Sequence, residues 1–235
     1  RGNTVTIESA VHDVVGGEGA GEASGNIVNI RANAAAVTGG RSAGAASNNR
    51  VTLGNITATS VVGGDGAATA EGNTVSLDGT TVTNDVIGGR GAVANGNAVS
   101  LSNTHVNGAV IGGYGTVQSD SNTINLQNAT VDGTVTGGYG TATSGNIIHL
   151  RNTVVNGIVT GGTASGGVGN TLAVYKPSEV HDFAAIQNLH FYTDEMAAGA
   201  ATPMLKLGTA TKDIRGLNIG VARSGAAPKL IKGDK

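Results

Sequence analysis

The 235-residue sequence has no cysteine and no tryptophan, only 3 prolines, and an aromatic content of 3%. The absence of cysteine excludes disulfides, thiolate metal sites and cysteine nucleophiles. Charged residues make up 13% of the chain and the formal net charge is −2, which argues against the basic surface of a nucleic-acid-binding protein. No apolar run approaches the ~18 residues that a membrane-spanning helix requires, so we expect no direct membrane insertion by this chain.

Glycine is abundant instead, with 40 residues, and two markers recur along the chain at intervals of 23–25 residues. One is a glycine pair, and the other is an asparagine that opens a short apolar alternation. The pairs begin at Gly16, Gly39, Gly63, Gly88, Gly112, Gly137 and Gly161, and the asparagines are Asn3, Asn26, Asn49, Asn73, Asn97, Asn122, Asn146 and Asn170. Two markers that share one period over most of the chain indicate a solenoid.

Each repeat has the side-chain alternation of short strands. Apolar residues stand two and four positions after each asparagine, from Val5 and Ile7 in the first repeat to Leu172 and Val174 in the last, with mostly polar residues between them. Recurrence every 24 residues favours a chain that returns to its own starting side over an antiparallel meander. The sequence therefore predicts an all-β fold: a right-handed parallel β-helix of about seven 24-residue coils with a β-rich C-terminal cap.

The period ends after Val174, and Pro177 follows. We therefore assign residues 1–175 to the coils and residues 176–235 to a capping segment, because the last coil of a solenoid would otherwise expose an unpaired strand edge. Alternating apolar residues at 204–207 and 217–221 predict strands in this segment, and a short helix is expected around 177–188.

If the coils stack in register, residues at equivalent positions form columns. The column that follows the glycine pairs contains Glu18, Arg41, Asp65, Arg90, Tyr114, Tyr139 and Thr163. Opposite charges become neighbours there, and Arg90 is expected to make a cation–π contact with Tyr114, which stacks on Tyr139. We predict Arg90, Tyr114 and Tyr139 as a contact site for a ligand or partner; the alternative is that they only stabilise the register. The asparagines are expected to form a hydrogen-bonded ladder.

No catalytic or metal site is predicted. Gly63-Gly64-Asp65-Gly66 has the glycines of a calcium-binding repeat, but Ala68 occupies the position of the required aspartate. The glycine pairs are instead expected at sharp corners with positive φ. Asp13 and Asp85 share a column but lie three coils apart, too far for the ~5–10 Å that separates glycosidase carboxyl groups. His149 is expected to face solvent, and we expect no cofactor.

The repeat and the segment that follows it resemble passenger domains of Gram-negative autotransporters, the type V secretion systems. The resemblance is carried by Asn122–Leu126, Val131–Gly140 and Ser144–Asn146, and by a tail with Phe183, Ile186–Leu189, Phe191-Tyr192, Met204-Leu205 and a closing Gly233-Asp234-Lys235. It implies a secreted, surface-displayed β-helix that is often adhesive and is tethered by a C-terminal outer-membrane barrel outside this sequence.

We therefore expect a non-enzymatic surface protein that acts as an adhesin or structural stalk. Its solenoid faces would bind a host surface glycan or protein, or another copy of the chain. Two alternatives stay open: a carbohydrate-active β-helix enzyme and a self-assembling fibre subunit.

Overall fold

The computed structural model describes residues 1–196, 202–209 and 211–230, so the closing Gly233-Asp234-Lys235 lies outside the described residues. In this part the chain forms 25 strands and one 3-10 helix, Thr193–Glu195. The strands make two long sheets in which all neighbours are parallel except the final pair, Asn218–Ala222 with Lys229–Leu230. The predicted all-β parallel β-helix is confirmed.

The two sheets run along the solenoid axis on different sides of one core. The first sheet contains Thr4–Ile7, Ile27–Ile30, Arg50–Gly54, Thr74–Asp78, Ala98–Ser102, Thr123–Gln127, Ile147–Arg151, Thr171–Val174, Asn188–Tyr192, Asn218–Ala222 and Lys229–Leu230. The second sheet contains Val14–Val15, Glu18–Gly19, Ala34–Thr38, Arg41–Ser42, Thr57–Gly66, Thr81–Val82, Val86–Val93, His105–Val106, Val110–Gln118, Thr130–Val131, Val135–Tyr139, Val154–Gly162, Ser178–Ala184 and Leu205–Leu207.

The solenoid has about 8 turns, one more than the seven predicted. The count of seven followed the glycine pairs, and the coil that begins at Asn170 has no such pair. Val159 is paired with Phe183 and Thr160 with Ala184, so the next residue, Ala185, stands opposite Gly161. This coil therefore forms without the marker that identified the others.

The core is a set of aliphatic columns. The predicted inward positions, two and four residues after each asparagine, are almost completely buried from the second coil to the eighth, as Val99 and Leu101 show. The valines before the glycine pairs, such as Val86 and Val110, close the core from the second sheet. Since like residues stack in parallel register, the core repeats the same packing along the axis.

A buried ladder of asparagine side chains lies along one edge of the core, as predicted. In each link, the backbone N–H and the side-chain Nδ2 of one asparagine donate to Oδ1 of the next; for Asn97 and Asn122 the distances are 2.9 and 3.1 Å. Asn26 to Asn170 are fully buried in this column, and Gln187 Oε1 accepts the backbone bond from Asn170 at the C-terminal end. The ladder thus satisfies amides that would be costly to bury alone.

The glycine pairs are not the positive-φ corners that the sequence predicted. None of them has a positive φ, and the pairs from Gly63 onward lie within strands. A Cβ on Gly88 would collide with the Gly112 carbonyl oxygen, and one on Gly89 would lie 2.7 Å from the Asn97 amide atoms. The glycine pairs are therefore needed so that the backbone can pass close to the asparagine side chains of the ladder. Positive φ falls instead on the residue before each asparagine: Gly2, Gly25, Asn48, Gly72, Gly96, Ser121, Gly145 and Gly169.

Both sheets continue past residue 175. Ser178–Ala184 is paired with the strand Val154–Gly162, and Asn188–Tyr192 with Thr171–Val174. The helix expected around 177–188 is therefore wrong, because Ser178–Ala184 is a strand of the second sheet in which Ser178 and Val180 are buried in alternation. The strands predicted near 204–207 and 217–221 are confirmed. Whether residues 176–235 act as a cap distinct from the coils stays a prediction.

Substitution of Gly88 by alanine should lower the free energy of unfolding by about 3 kcal/mol, because the new methyl group overpacks a backbone contact. Gly54 is the matched control: it also lies in a strand, but a Cβ there would have no atom within 4 Å. Denaturant unfolding of Gly88→Ala and Gly54→Ala measures the difference. Equal stability of the two variants would contradict the close-approach role of the glycine pairs.

Deletion of residues 176–235 should cause aggregation or end-to-end association, since it removes the strands paired with Val154–Gly162 and Thr171–Val174 and exposes the edges of both. Sedimentation velocity over a concentration series, with the full chain as reference, measures the effect. A truncated chain that stays monomeric at high concentration would show that this segment does not cap the solenoid.

Candidate functional site

The predicted column after the glycine pairs is present on the outer face of the second sheet. Register pairs Glu18 with Arg41, Arg41 with Asp65, Asp65 with Arg90, Arg90 with Tyr114 and Tyr114 with Tyr139. Residues that are 23–25 positions apart in sequence thus become neighbours at the ~4.8 Å spacing of adjacent strands. We refer to this row of side chains as the wall column.

Tyr114 and Tyr139 form a stacked pair at the C-terminal end of the wall column. Their ring centroids are 4.5 Å apart and their planes differ by 6°. Tyr139 is 42% exposed and Tyr114 is partly exposed. The cation–π contact predicted between Arg90 and Tyr114 is not formed: in the described part of the chain, the cations over rings are Arg151 on Tyr175 and Lys212 on Phe183. We call the Tyr114–Tyr139 pair the tyrosine step.

A shallow groove runs beside the wall column. Its floor is the outward column Val62, Ile87 and Ile111, which are register partners that lie outside the main core cluster. Val62 and Ile87 are nevertheless buried, so the floor is recessed between its walls. Threonines continue the floor column at both ends: Thr38, Thr136 and Thr160. We call this feature the axial groove.

One part of the axial groove is a cleft of about 220 Å³. Arg41, Asp65 and Arg90 line it from the wall column, and Asp85 and Ser60 line it from the opposite side. The sequence pointed to Arg90 but not to Asp85 as a groove residue or to the floor. A signal for the floor was present in the sequence: the residue after each buried valine that precedes a glycine pair is Thr, Val or Ile.

Charges in this cleft are balanced and loosely paired. Arg41 Nε lies 4.0 Å from Asp65 Oδ2, and within the described chain Arg90 has no ion pair. Asp85 Oδ1 accepts a hydrogen bond from the Ala109 backbone N–H at 2.8 Å, which orients the carboxylate. The cleft therefore presents two guanidinium donors and two carboxylate acceptors, with side-chain charges that cancel.

The fold keeps Asp13 and Asp85 apart, as the sequence predicted. Successive pairings from Asp13 through Ala36 and Ser60 place Asp85 three coils away, about 14 Å at the strand spacing. The Ala36 N–H donates to Asp13 and keeps the pKa of that carboxyl below its usual range. No group of three or more His, Asp or Glu side chains within the described ranges is placed to hold a metal ion.

A second aromatic column, which the sequence analysis missed, lies on the outer face of the first sheet. The Arg151 guanidinium stacks 3.7 Å from the centroid of Tyr175, and Tyr175 stacks on Tyr192 at 4.3 Å. Glu195 pairs with Arg151 at 3.3 Å, and Tyr175 is only 8% exposed. This column is closed by its own contacts. The sequence did not predict that strand pairing continues beyond residue 175. This pairing brings Tyr192 over Tyr175.

His149 points outward, as predicted, but the second aromatic column covers it. Its Nδ1 lies 3.2 Å from the Tyr175 hydroxyl. Burial, and then the nearby Arg151 charge, lower the pKa of His149 from 6.5 to about 4. The side chain is therefore only partly exposed, because the tyrosine covers it.

Comparison with protein-family models, curated proteins and solved structures gives no match for the chain. In the residues that the structure describes, no helix is both long and apolar enough to cross a membrane.

Protonation of His149 should destabilise the fold at acidic pH. Because the folded pKa of His149 is below the unfolded value of 6.5, stability is full above 6.5, falls as pH drops, and levels off below about 4. The loss is on the order of 2 kcal/mol, allowing for the water that reaches the ring.

Thermal melts of the parent and of His149→Gln between pH 7 and pH 4 would measure this effect. His190, whose pKa is also lowered by burial, would retain a part of the pH dependence in the variant. An identical pH dependence in the two proteins would contradict the assignment.

Proposed function

We propose that this chain is a segment of a secreted, surface-displayed passenger of the autotransporter type, and that it acts as an adhesin or structural stalk. The parallel β-solenoid supports this proposal because it is the fold that the sequence resemblance implies. In this role the chain is non-enzymatic and is tethered to the outer membrane by a part of the protein outside this sequence.

The construction of the solenoid suits a rod that holds contact surfaces away from a cell. Hydrogen bonds between asparagine side chains connect every coil from the first to the eighth, and the aliphatic core is continuous along the same length. A contact surface on one coil is therefore held rigidly relative to those on its neighbours.

The main support for a contact site on this surface is the tyrosine step. Tyr139 is 42% exposed in a protein with only 6 Phe and Tyr residues in total, and Tyr114 stacks against it beside Arg90. Tyrosine and arginine are the residue types that dominate protein contact sites, because they combine large area with directional donors. We assign Arg90, Tyr114 and Tyr139 to contact with a host surface glycan or protein, or with a second copy of the chain.

The double substitution Tyr114→Thr with Tyr139→Thr tests this assignment. The chain itself places Thr163 next in the same column, so threonine is compatible with the backbone there. We expect binding of the purified chain to cultured epithelial cells, or to a surface coated with the same chain, to fall about tenfold. The melting temperature should fall by only about 2–4 °C, the equivalent of a lost ring stack of ~1 kcal/mol.

Val168→Thr is the matched control, because Val168 is the most exposed of the large apolar side chains in the described part and lies outside the wall column. It should leave binding unchanged. Binding that is equally strong in the double variant and the parent would remove the tyrosine step as a contact site and leave it a structural stack.

A further inference from the structure

We propose that the axial groove binds an extended, uncharged glycan chain that lies parallel to the solenoid axis, with sugar rings stacked at the tyrosine step. This inference rests on the proposed function, because it gives a ligand class to the same surface. The proposed site binds neutral polysaccharides in preference to acidic ones.

The shape of the groove favours a long, repetitive ligand. Floor residues Val62, Ile87 and Ile111 belong to successive coils, so equivalent floor positions recur about every 4.8 Å along the axis. The cleft of about 220 Å³ is below the ~300–1,000 Å³ of pockets that enclose drug-sized molecules. Its size suits a short stretch of a polymer, and the floor column of Ile111, Thr136 and Thr160 extends from the cleft toward the C-terminal coils.

The charges of the groove favour an uncharged ligand. A sugar hydroxyl both donates and accepts, and the cleft offers Asp65 and Asp85 as acceptors and Arg41 and Arg90 as donors. An acidic glycan would gain from the two guanidinium groups, but its carboxylates would also lie against Asp65 and Asp85. Like-charge contacts of this kind penalise the wrong ligand and thereby set specificity.

Hydrogen bonds to sugar hydroxyls leave the apolar face of a sugar ring without a contact, and the tyrosine step supplies one. Beyond Tyr139, the next side chain in the column is Thr163, whose hydroxyl is 2.9 Å from the Gly140 backbone N–H and is therefore turned toward the backbone. Arg90 does not lie over Tyr114 on the other side. Tyr139, which is 42% exposed, thus offers ring surface to the C–H face of a sugar ring.

Isothermal titration calorimetry of the full chain with four hexasaccharides of equal length tests the proposal. Cellohexaose, laminarihexaose and maltohexaose are the neutral probes, and hexagalacturonate is the acidic probe. We expect at least one neutral hexasaccharide to bind with little dependence on salt, and hexagalacturonate to bind at least tenfold more weakly. Tyr114→Thr with Tyr139→Thr should weaken the neutral complex at least tenfold, while Val168→Thr leaves it unchanged.

Two further variants test the groove itself. Asp65→Asn with Asp85→Asn removes both carboxylates but keeps an acceptor oxygen at each site, and should shift the preference toward hexagalacturonate because Arg41 and Arg90 become unopposed. Ile111→Thr reproduces the threonine that the next coil carries at Thr136, so the fold should tolerate it. It should weaken the neutral complex by reducing the apolar floor.

Preference of the parent for hexagalacturonate would overturn the uncharged class, and absence of binding to all four probes would overturn the inference. In the latter case, reduced cell binding by the tyrosine variant would still support the proposed contact site, so the two failures are distinguishable. Neutral binding that survives in the tyrosine variant would exclude the step as part of the glycan site. Thermal melts confirm that each variant is folded before its binding is interpreted.

Discussion

The fit of a buried asparagine amide against a glycine pair is the contact on which the solenoid depends. Each Oδ1 accepts two hydrogen bonds from the preceding coil, and each pair of glycines lets the strand approach the amide too closely for any side chain. A buried amide without partners would cost about 1–3 kcal/mol, so any slip of one coil against the next would carry that penalty at once. Register is therefore specified by a polar ladder, while the aliphatic columns supply the apolar burial.

Because the ladder sets register, it also places residues far apart in sequence side by side on the surface. Asp65, Arg90 and Tyr114 belong to three different repeats and become successive members of the wall column. A surface of this kind can change its chemistry along the axis by single substitutions in each repeat, without any change in the core. The wall column does so, since charged residues occupy its first four coils and tyrosines the next two.

Period and column membership could be predicted from the sequence because the two markers recur independently. The wall column and the asparagine ladder followed from counting positions alone. Counting positions in the sequence could not show why the glycine pairs are needed, because a close backbone approach and a positive φ both favour glycine. It also failed where the spacing changes: Thr171 pairs with Asn188 only 17 residues later, so the last coils and the Tyr175–Tyr192 stack were not foreseen. The floor of the axial groove was missed because, in the sequence, an outward-facing valine or isoleucine cannot be distinguished from one in the core.

The two aromatic columns share one arrangement but differ in how completely its members contact each other. Both follow the order arginine, tyrosine, tyrosine across successive coils. In the first sheet the Arg151 guanidinium covers one face of Tyr175, and Glu195 neutralises the cation, so the stack is complete and almost dry. In the second sheet Arg90 leaves Tyr114 uncovered and has no ion pair among the described residues. The contacts of the closed column join the last coils, whereas the open column keeps exposed ring surface and a guanidinium without an ion pair among the described residues.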